Sequence, residues 1–360
     1  ILAIDMLAAA QSIELRGSEK PSLAIQEVIS EIRIDIAHLD EDRPLFDDHN
    51  KMVEILRANE MGFCMGVRRA VQIMEHESAE GRPIVSAGEI VHNPRVVEQL
   101  EKVGVRQLPG PDEIAGDFGK ATAEYVKNER VAITAHGVGE KVLRDIESAG
   151  LEIVDTTCPV VTRAQRFAQK FVRDGWHVLI FGDPGHKEVR GTIGWAFDKN
   201  GQAKATVTAQ SDLSHLKKMI EEFPGGFPNK IGVMAQTTHK MEAFAQFVSN
   251  LMLLQRDANF EMHVVNTLCH ATTGQQEEAA ALAKIVDLMI VVGGQKSANT
   301  RHLREVCEEQ GTTTYHIENP DQINPEWLKG KVRVGLTAGA STPDSSINEV
   351  ENRLIELSQT

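Results

Sequence analysis

The sequence predicts an α/β protein of three similar α/β units in a pseudo-threefold trefoil around a central site. Three observations carry this expectation. Apolar β-branched runs alternate with stretches of helical period, one cysteine-based spacing recurs three times, and every recurrence ends in a polar signature just after an apolar run. The length of 360 residues agrees, since a domain usually takes roughly 150 residues or fewer.

In chain order, the strand candidates are Ile84-Val85, Val131-Ala132-Ile133, Val178-Leu179-Ile180-Phe181, Ile231-Gly232-Val233, Ile290-Val291-Val292 and Val332 to Leu336. Between them Val67 to His76, Thr162 to Arg173 and Gln275 to Ala283 show helical period. Such alternation means parallel sheets with helices on both faces, and ligands then sit beyond the carboxyl ends of the strands. The spacing follows from the cysteines. His92 comes 28 residues after Cys64, His186 comes 28 after Cys158, and Ser297 comes 28 after Cys269. From these residues the next polar strand ends follow 44, 51 and 44 residues on, at Ala135-His136-Gly137, Gln236-Thr237-Thr238 and Ala340-Ser341-Thr342. The units expected are 52–157, 158–266 and 267–360, preceded by an N-terminal extension over 1–51.

Lys+Arg 38 against Asp+Glu 52 leaves a net charge of −14, and no Lys/Arg run carries interleaved aromatics, so nucleic acid is not an expected partner. The best apolar run, Ile285 to Val292, is broken by Asp287 and falls short of the ~18 residues of a membrane span. The first fifty residues lack a signal-peptide pattern, and their Asp40-Glu41-Asp42 run has the wrong charge for a transit peptide. The expected location is cytoplasmic. Four cysteines with no CxxC pair suit a reducing compartment and neither a disulfide framework nor a local zinc finger. A phosphorylated ligand would then need a local pocket of histidine, hydroxyl and backbone N–H groups.

Cys64, Cys158 and Cys269 each sit at a strand-to-helix junction, where a helix N-terminus favours a thiolate. Three convergent thiolates hold zinc, or equally a four-iron cluster in which one iron stays open. An open iron is a Lewis acid and an electron donor at once, which suits reductive removal of an oxygen substituent. Cys307 lies inside a helical stretch and reads as packing. His92, His136 and His186 each follow an apolar run and precede Gly, Pro or a helix start. At helix N-termini they would build the anion pocket, completed by Ser297, Asn299 and Ser341. Glu188, two residues after His186, is the natural proton donor to a leaving hydroxyl, with Thr237 as its hydroxyl relay. Asp155, His76, His177 and His215 read as structural. No Walker A, GxGxxG, HExxH or GxSxG motif occurs.

Nine segments, NEMGFCMGVRRAV, GEIVHNPRVV, AHGV, DTTCPVV, GHKEVRGT, QTT, NTLCHAT, KSANTRHL and TAGASTPD, keep order over roughly residues 52 to 355. With them the chain resembles the LytB/IspH family of 4-hydroxy-3-methylbut-2-enyl diphosphate reductases. The resemblance implies the last step of the methylerythritol phosphate route of isoprene biosynthesis. That step is a two-electron reductive dehydroxylation of an allylic diphosphate to isopentenyl and dimethylallyl diphosphates. It implies one [4Fe-4S] cluster per chain on Cys64, Cys158 and Cys269, making the central site an iron–sulfur site. It further implies diphosphate on His92, His136, Ser297, Asn299 and Ser341, His186 close to substrate, proton delivery by Glu188 with Thr237, and a ferredoxin or flavodoxin type electron donor. Ala298 stands where many relatives have a second serine, and Lys187 replaces a common proline. Two other readings describe three units with one cysteine each: a quinolinate synthase-like condensing enzyme, and a non-catalytic zinc or redox-sensing protein. Glu188 with the His92/His136 pair fits diphosphate and proton delivery better than the dicarboxylate of the first, and the second leaves the repeated polar strand ends unexplained.

Overall fold

The computed structural model describes residues 53–358 apart from 82, 115–116 and 127–129, together with a few scattered positions between 9 and 32. The expected N-terminal extension over 1–51 otherwise lies outside the described residues. The chain opens with β1 (Glu54–Arg57), α1 (Met65–Ala79), β2 (Ile84–Ala87), α2 (Pro94–Lys102), β3 (Val105–Leu108), α3 (Phe118–Tyr125), β4 (Arg130–Ile133), α4 (Glu140–Ser148) and β5 (Ile153–Asp155). It continues through α5 (Pro159–Arg173), β6 (His177–Phe181), α6 (Lys187–Ile193), β7 (Ala205–Thr208), α7 (Leu213–Glu221), β8 (Lys230–Ala235), α8 (Met241–Ala258) and β9 (Glu261–Val264). The last stretch holds α9 (His270–Ala283), β10 (Leu288–Val292), α10 (Ala298–Glu309), β11 (Thr313–Ile317), β12 (Arg333–Ala338) and α11 (Asp344–Ser358).

The strands form three four-stranded sheets of one topology, β3-β2-β4-β5, β7-β6-β8-β9 and β11-β10-β12-β1. All pairings within them are parallel. The α/β trefoil expectation is met. Each sheet buries both faces, which is why its central strands read as unbroken apolar runs. Leu179 and Phe181 of β6 enter one core with Phe247, while Val178 and Ile180 enter another with Phe171 and Trp176. The same alternation divides β10 between Leu288, Ile290 and Val292 on one face and Met289 and Val291 on the other. At about 1.5–3 kcal/mol per fully buried aliphatic side chain, these two-sided strands anchor each unit.

One element departs from the sequence division. Residues 54–57, placed by spacing in the first unit, pair with the third, with Glu54 opposite Arg333 and Arg57 opposite Leu336. The third unit ends in a helix and has no fourth strand of its own, so β1 fills the place that β5 and β9 hold in the other sheets. A four-residue run carries no local mark of a partner some 280 residues away, which is why spacing alone misplaces it. The ring is closed as a result. Each fourth strand leads directly into the next cysteine, so the three cysteines lie at the seams between units.

Candidate functional site

Cys64, Cys158 and Cys269 are the N-cap residues of α1, α5 and α9. Their backbone N–H groups donate across the seams, from Cys64 to the Ala340 carbonyl (3.1 Å), from Cys158 to Ala135 (3.0 Å) and from Cys269 to Thr237 (2.9 Å). The Cys64 sulfur also accepts the Val67 N–H at 3.5 Å. Gly66 is required here, because a Cβ would collide with the Cys158 sulfur. The backbone N–H groups at these helix starts, of Val67 for Cys64 and of Val160 and Val161 for Cys158, do pull the thiol pKa values down. Burial pushes the Cys64 and Cys158 thiols up, and neighbouring cysteine charge adds to it, outweighing the backbone N–H groups that pull the other way.

All eleven side chains singled out from the sequence line one cavity of about 100 Å³: the three cysteines, His92, His136, His186, Glu188, Thr237, Ser297, Asn299 and Ser341. Their positions follow from the repeated topology. The loops after β2, β6 and β10 carry His92, His186 and Ser297, and the loops after β4, β8 and β12 carry His136, Thr237 and Ser341. Only His186 and Ser297 cap helices, α6 and α10. His92 lies one residue before the Asn93 cap of α2, and His136 lies before α4, whose cap is Gly139. His186 is thus itself a cap, while His92 and His136 lie one and three residues ahead of the caps Asn93 and Gly139.

The imidazoles nevertheless converge. Ring centroids are 4.2 Å apart for His92 and His136, and 5.8 Å from each of these to His186. His186 Nδ1 accepts the Glu188 N–H at 3.2 Å, so in the neutral ring Nε2 carries the proton. His92 Nδ1 lies 3.0 Å from the Glu89 carboxylate, a hydrogen bond that holds Glu89 below the usual carboxylate range. His136 Nδ1 has no hydrogen-bond partner, and desolvation holds the pKa of this imidazole well below the ordinary value. Burial likewise brings His186 down to about 4. Without an anion the pocket therefore holds at least two neutral imidazoles.

Glu188 is 3% exposed. Its Oε1 accepts the Thr237 N–H at 2.7 Å and its Oε2 accepts the Thr237 hydroxyl at 2.8 Å. Burial pushes its pKa up to about 7 against the opposing pull of these two bonds. Desolvation wins because no cation offsets the enclosed charge. The carboxyl is poised to hold or release a proton near neutrality.

Thr238 and Thr272 also line the cavity, and sequence reasoning passed over both. Thr272 Oγ1 donates to the Cys269 carbonyl at 2.9 Å, and the Thr238 carbonyl lies 2.8 Å from His302 Nδ1. A signal for Thr272 existed: the third residue after the cysteine is Val67, Val161 and Thr272, polar in one unit only. The residues read as structural fall elsewhere. Cys307 packs fully buried with its thiol pushed up to about 12, and His177 and His215 bond Thr206 and Thr208. A larger hollow of about 730 Å³, lined by Lys141, Lys187 and Arg190, contains none of the eleven.

Among the described residues, no three His, Cys, Asp or Glu side chains gather on one point closely enough to chelate a single ion. The three sulfurs instead surround a shared cavity, where they respond to one another's charge. Three thiols lining one cavity are a donor set that fits a cluster of several metal atoms, each atom taking one sulfur.

A family model described as LytB protein matches residues 55–355. The 4-hydroxy-3-methylbut-2-enyl diphosphate reductase of Dehalococcoides mccartyi (strain CBDB1) is 41% identical over 303 residues, covering 84% of this chain and 97% of that protein. The Aquifex aeolicus (strain VF5) protein of the same name is 35% identical, covering 85% and 97%. A solved structure of (E)-4-hydroxy-3-methyl-but-2-enyl diphosphate reductase, described as the terminal enzyme of the non-mevalonate pathway, matches with a TM-score of 0.58 at 34% identity. It covers 85% of this chain and 100% of that one. The corresponding Plasmodium falciparum structure shares the fold, with a TM-score of 0.70 at 24% identity over 83% of this chain and 87% of that one.

Proposed function

The chain belongs to the LytB family, and from that premise we infer that it is an oxidoreductase acting on 4-hydroxy-3-methylbut-2-enyl diphosphate, with the central cavity as its active site. The observation that carries the assignment of the site is the convergence of all eleven side chains on one cavity, with a buried, protonatable Glu188 among them. The reaction consumes two electrons and two protons. It breaks the allylic C–O bond, releases the hydroxyl as water and leaves a C–H bond in isopentenyl or dimethylallyl diphosphate.

Cys64, Cys158 and Cys269 would hold a [4Fe-4S] cluster, which when bound supplies the electrons and a Lewis-acidic iron with no protein ligand. A carrier protein of ferredoxin or flavodoxin type delivers those electrons. Ser297, Asn299, Ser341, His92 and His136 bind the diphosphate. Its negative charge offsets the burial that keeps His136 and His186 neutral, so these imidazoles gain affinity for protons as the anion arrives. His186, with Nδ1 engaged by the Glu188 N–H, offers Nε2–H to the substrate. Glu188 gives its proton to the leaving hydroxyl, and the Thr237 hydroxyl stabilises the resulting carboxylate at 2.8 Å. Glu188, 3% exposed, makes this transfer from a carboxyl withdrawn from bulk water. No described helix is long and apolar enough to cross a membrane.

Iron and acid-labile sulfide in anaerobically purified protein test this reading, with absorption spectra before and after addition of the substrate. About four irons per chain and a substrate-perturbed spectrum are expected for a cluster with one open iron. Bound zinc, or a cluster indifferent to substrate, overturns the proposed role of the cysteines.

A further inference from the structure

The pseudo-threefold repeat is broken at a buried position that does not itself line the cavity. Six residues after each cysteine, on the inner face of the seam helix, stand Ala70 in α1, Ala164 in α5 and Gln275 in α9. The alanines are 0% and 1% exposed and need no partner, whereas Gln275, 4% exposed, must satisfy a buried amide. Its Nε2 donates to the Gly62 carbonyl at 2.9 Å, and its Oε1 accepts Asn299 Nδ2 at 3.1 Å. Asn299 lines the cavity, and its Oδ1 is buried with no hydrogen-bond partner.

These contacts fix a polarity. A backbone carbonyl only accepts, so the NH₂ end of Gln275 faces Gly62 and its oxygen faces Asn299. Asn299 must then turn its NH₂ end to Gln275, which takes one of its two N–H hydrogens and leaves the second as the donor that a diphosphate oxygen requires. The choice of amide end at the substrate pocket is thereby set by a carbonyl two residues before Cys64. We propose that Gln275 is a positioning residue for substrate binding, holding the Asn299 amide in one orientation for the diphosphate. Gln275 occupies an alanine position in the one unit whose pocket residue, 30 positions after the cysteine, is an amide. The inference rests on the reading of Asn299 as a diphosphate ligand.

The test is a double-mutant cycle on anaerobic holoenzyme, with iron and sulfide measured for every variant and inorganic diphosphate binding measured by calorimetry. Gln275→Met keeps the volume and loses both hydrogen bonds. It should weaken inorganic diphosphate binding by about three- to tenfold, as expected for a neutral hydrogen bond. It should also raise KM with kcat nearly unchanged, and it should have no further effect in an Asn299→Ala background. Full additivity of Q275M and N299A, or unchanged diphosphate affinity in Q275M, overturns the proposal. Should N299A itself bind inorganic diphosphate like wild type, the reading of Asn299 falls instead. If Q275M fails to load iron, Gln275→Asn, too short to span both partners, goes through the same cycle, and the same outcomes support or overturn the proposal.

Discussion

Units two and three place different side chains at one equivalent point. Glu188 and Asn299 are each the second residue of a helix, capped by His186 and Ser297, and each lies 30 residues after a cysteine. Glu188 is held by Thr237 through two bonds to its carboxyl oxygens, and burial makes it an acid near neutrality. Asn299 is held by Gln275 and has no proton to give. A repeated backbone delivers side chains to one cavity, and the identities at equivalent positions divide the work. In the proposed mechanism unit two supplies the proton and unit three the neutral polar contacts, while unit one places two of the imidazoles in the cavity.

The largest effect that tests this division is Glu188→Gln. Glutamine can accept the Thr237 N–H and donate to the Thr237 oxygen, so the geometry holds while the acid is lost. Turnover should fall by about 10²- to 10⁴-fold, the usual worth of general acid catalysis, while inorganic diphosphate still binds. Adding Asn299→Asp to E188Q should not restore turnover, because a carboxyl on the unit-three side lacks the Thr237 pair. Near-normal turnover in E188Q would dissolve the contrast between the units.

Thr237→Val asks for less. The Thr237 hydroxyl is one of two donors pulling the Glu188 pKa down against burial, so its loss should move that pKa above about 7. Proton donation needs the neutral acid, so the fall of kcat on the alkaline side should shift to higher pH in T237V. The maximal rate should drop by about tenfold, as for one lost hydrogen bond to a charged group. An alkaline limb that stays in place would show that Thr237 does not tune Glu188.

The scaffold of this division was largely legible in the sequence. The 28-residue spacing located His92, His186 and Ser297 at matching strand ends, and buried parallel strands announced themselves as unbroken apolar runs. Contacts made across seams were not legible. The pairing of β1 with β12 spans most of the chain, and nothing in Glu54–Arg57 marks its partner. The poise of Glu188 depends on full enclosure, which no local pattern encodes, whereas its meeting with Thr237 was anticipated. Thr272 and Gln275 could have been found by comparing equivalent positions across units, since each is polar where the other two units carry Val or Ala.

The smallest effect separates the two helices by pH. Glu188 has a folded pKa of about 7 against an ordinary 4.5, so below pH 4.5 both folded and unfolded chains hold the proton and its contribution to stability is complete. Between 4.5 and 7 the unfolded chain releases that proton first, and stability falls as pH rises. Above 7 the folded chain releases it too, and the loss levels off. At 1.36 kcal/mol per pKa unit the full difference is at most about 3 kcal/mol. Asn299 imposes no such dependence on unit three. Urea midpoints of wild type and E188Q, compared at several pH values from 4.5 to 8, cancel the other carboxylates common to both proteins. The difference should open in favour of E188Q across that window, and parallel pH profiles would mean that Glu188 is already ionised in the folded chain.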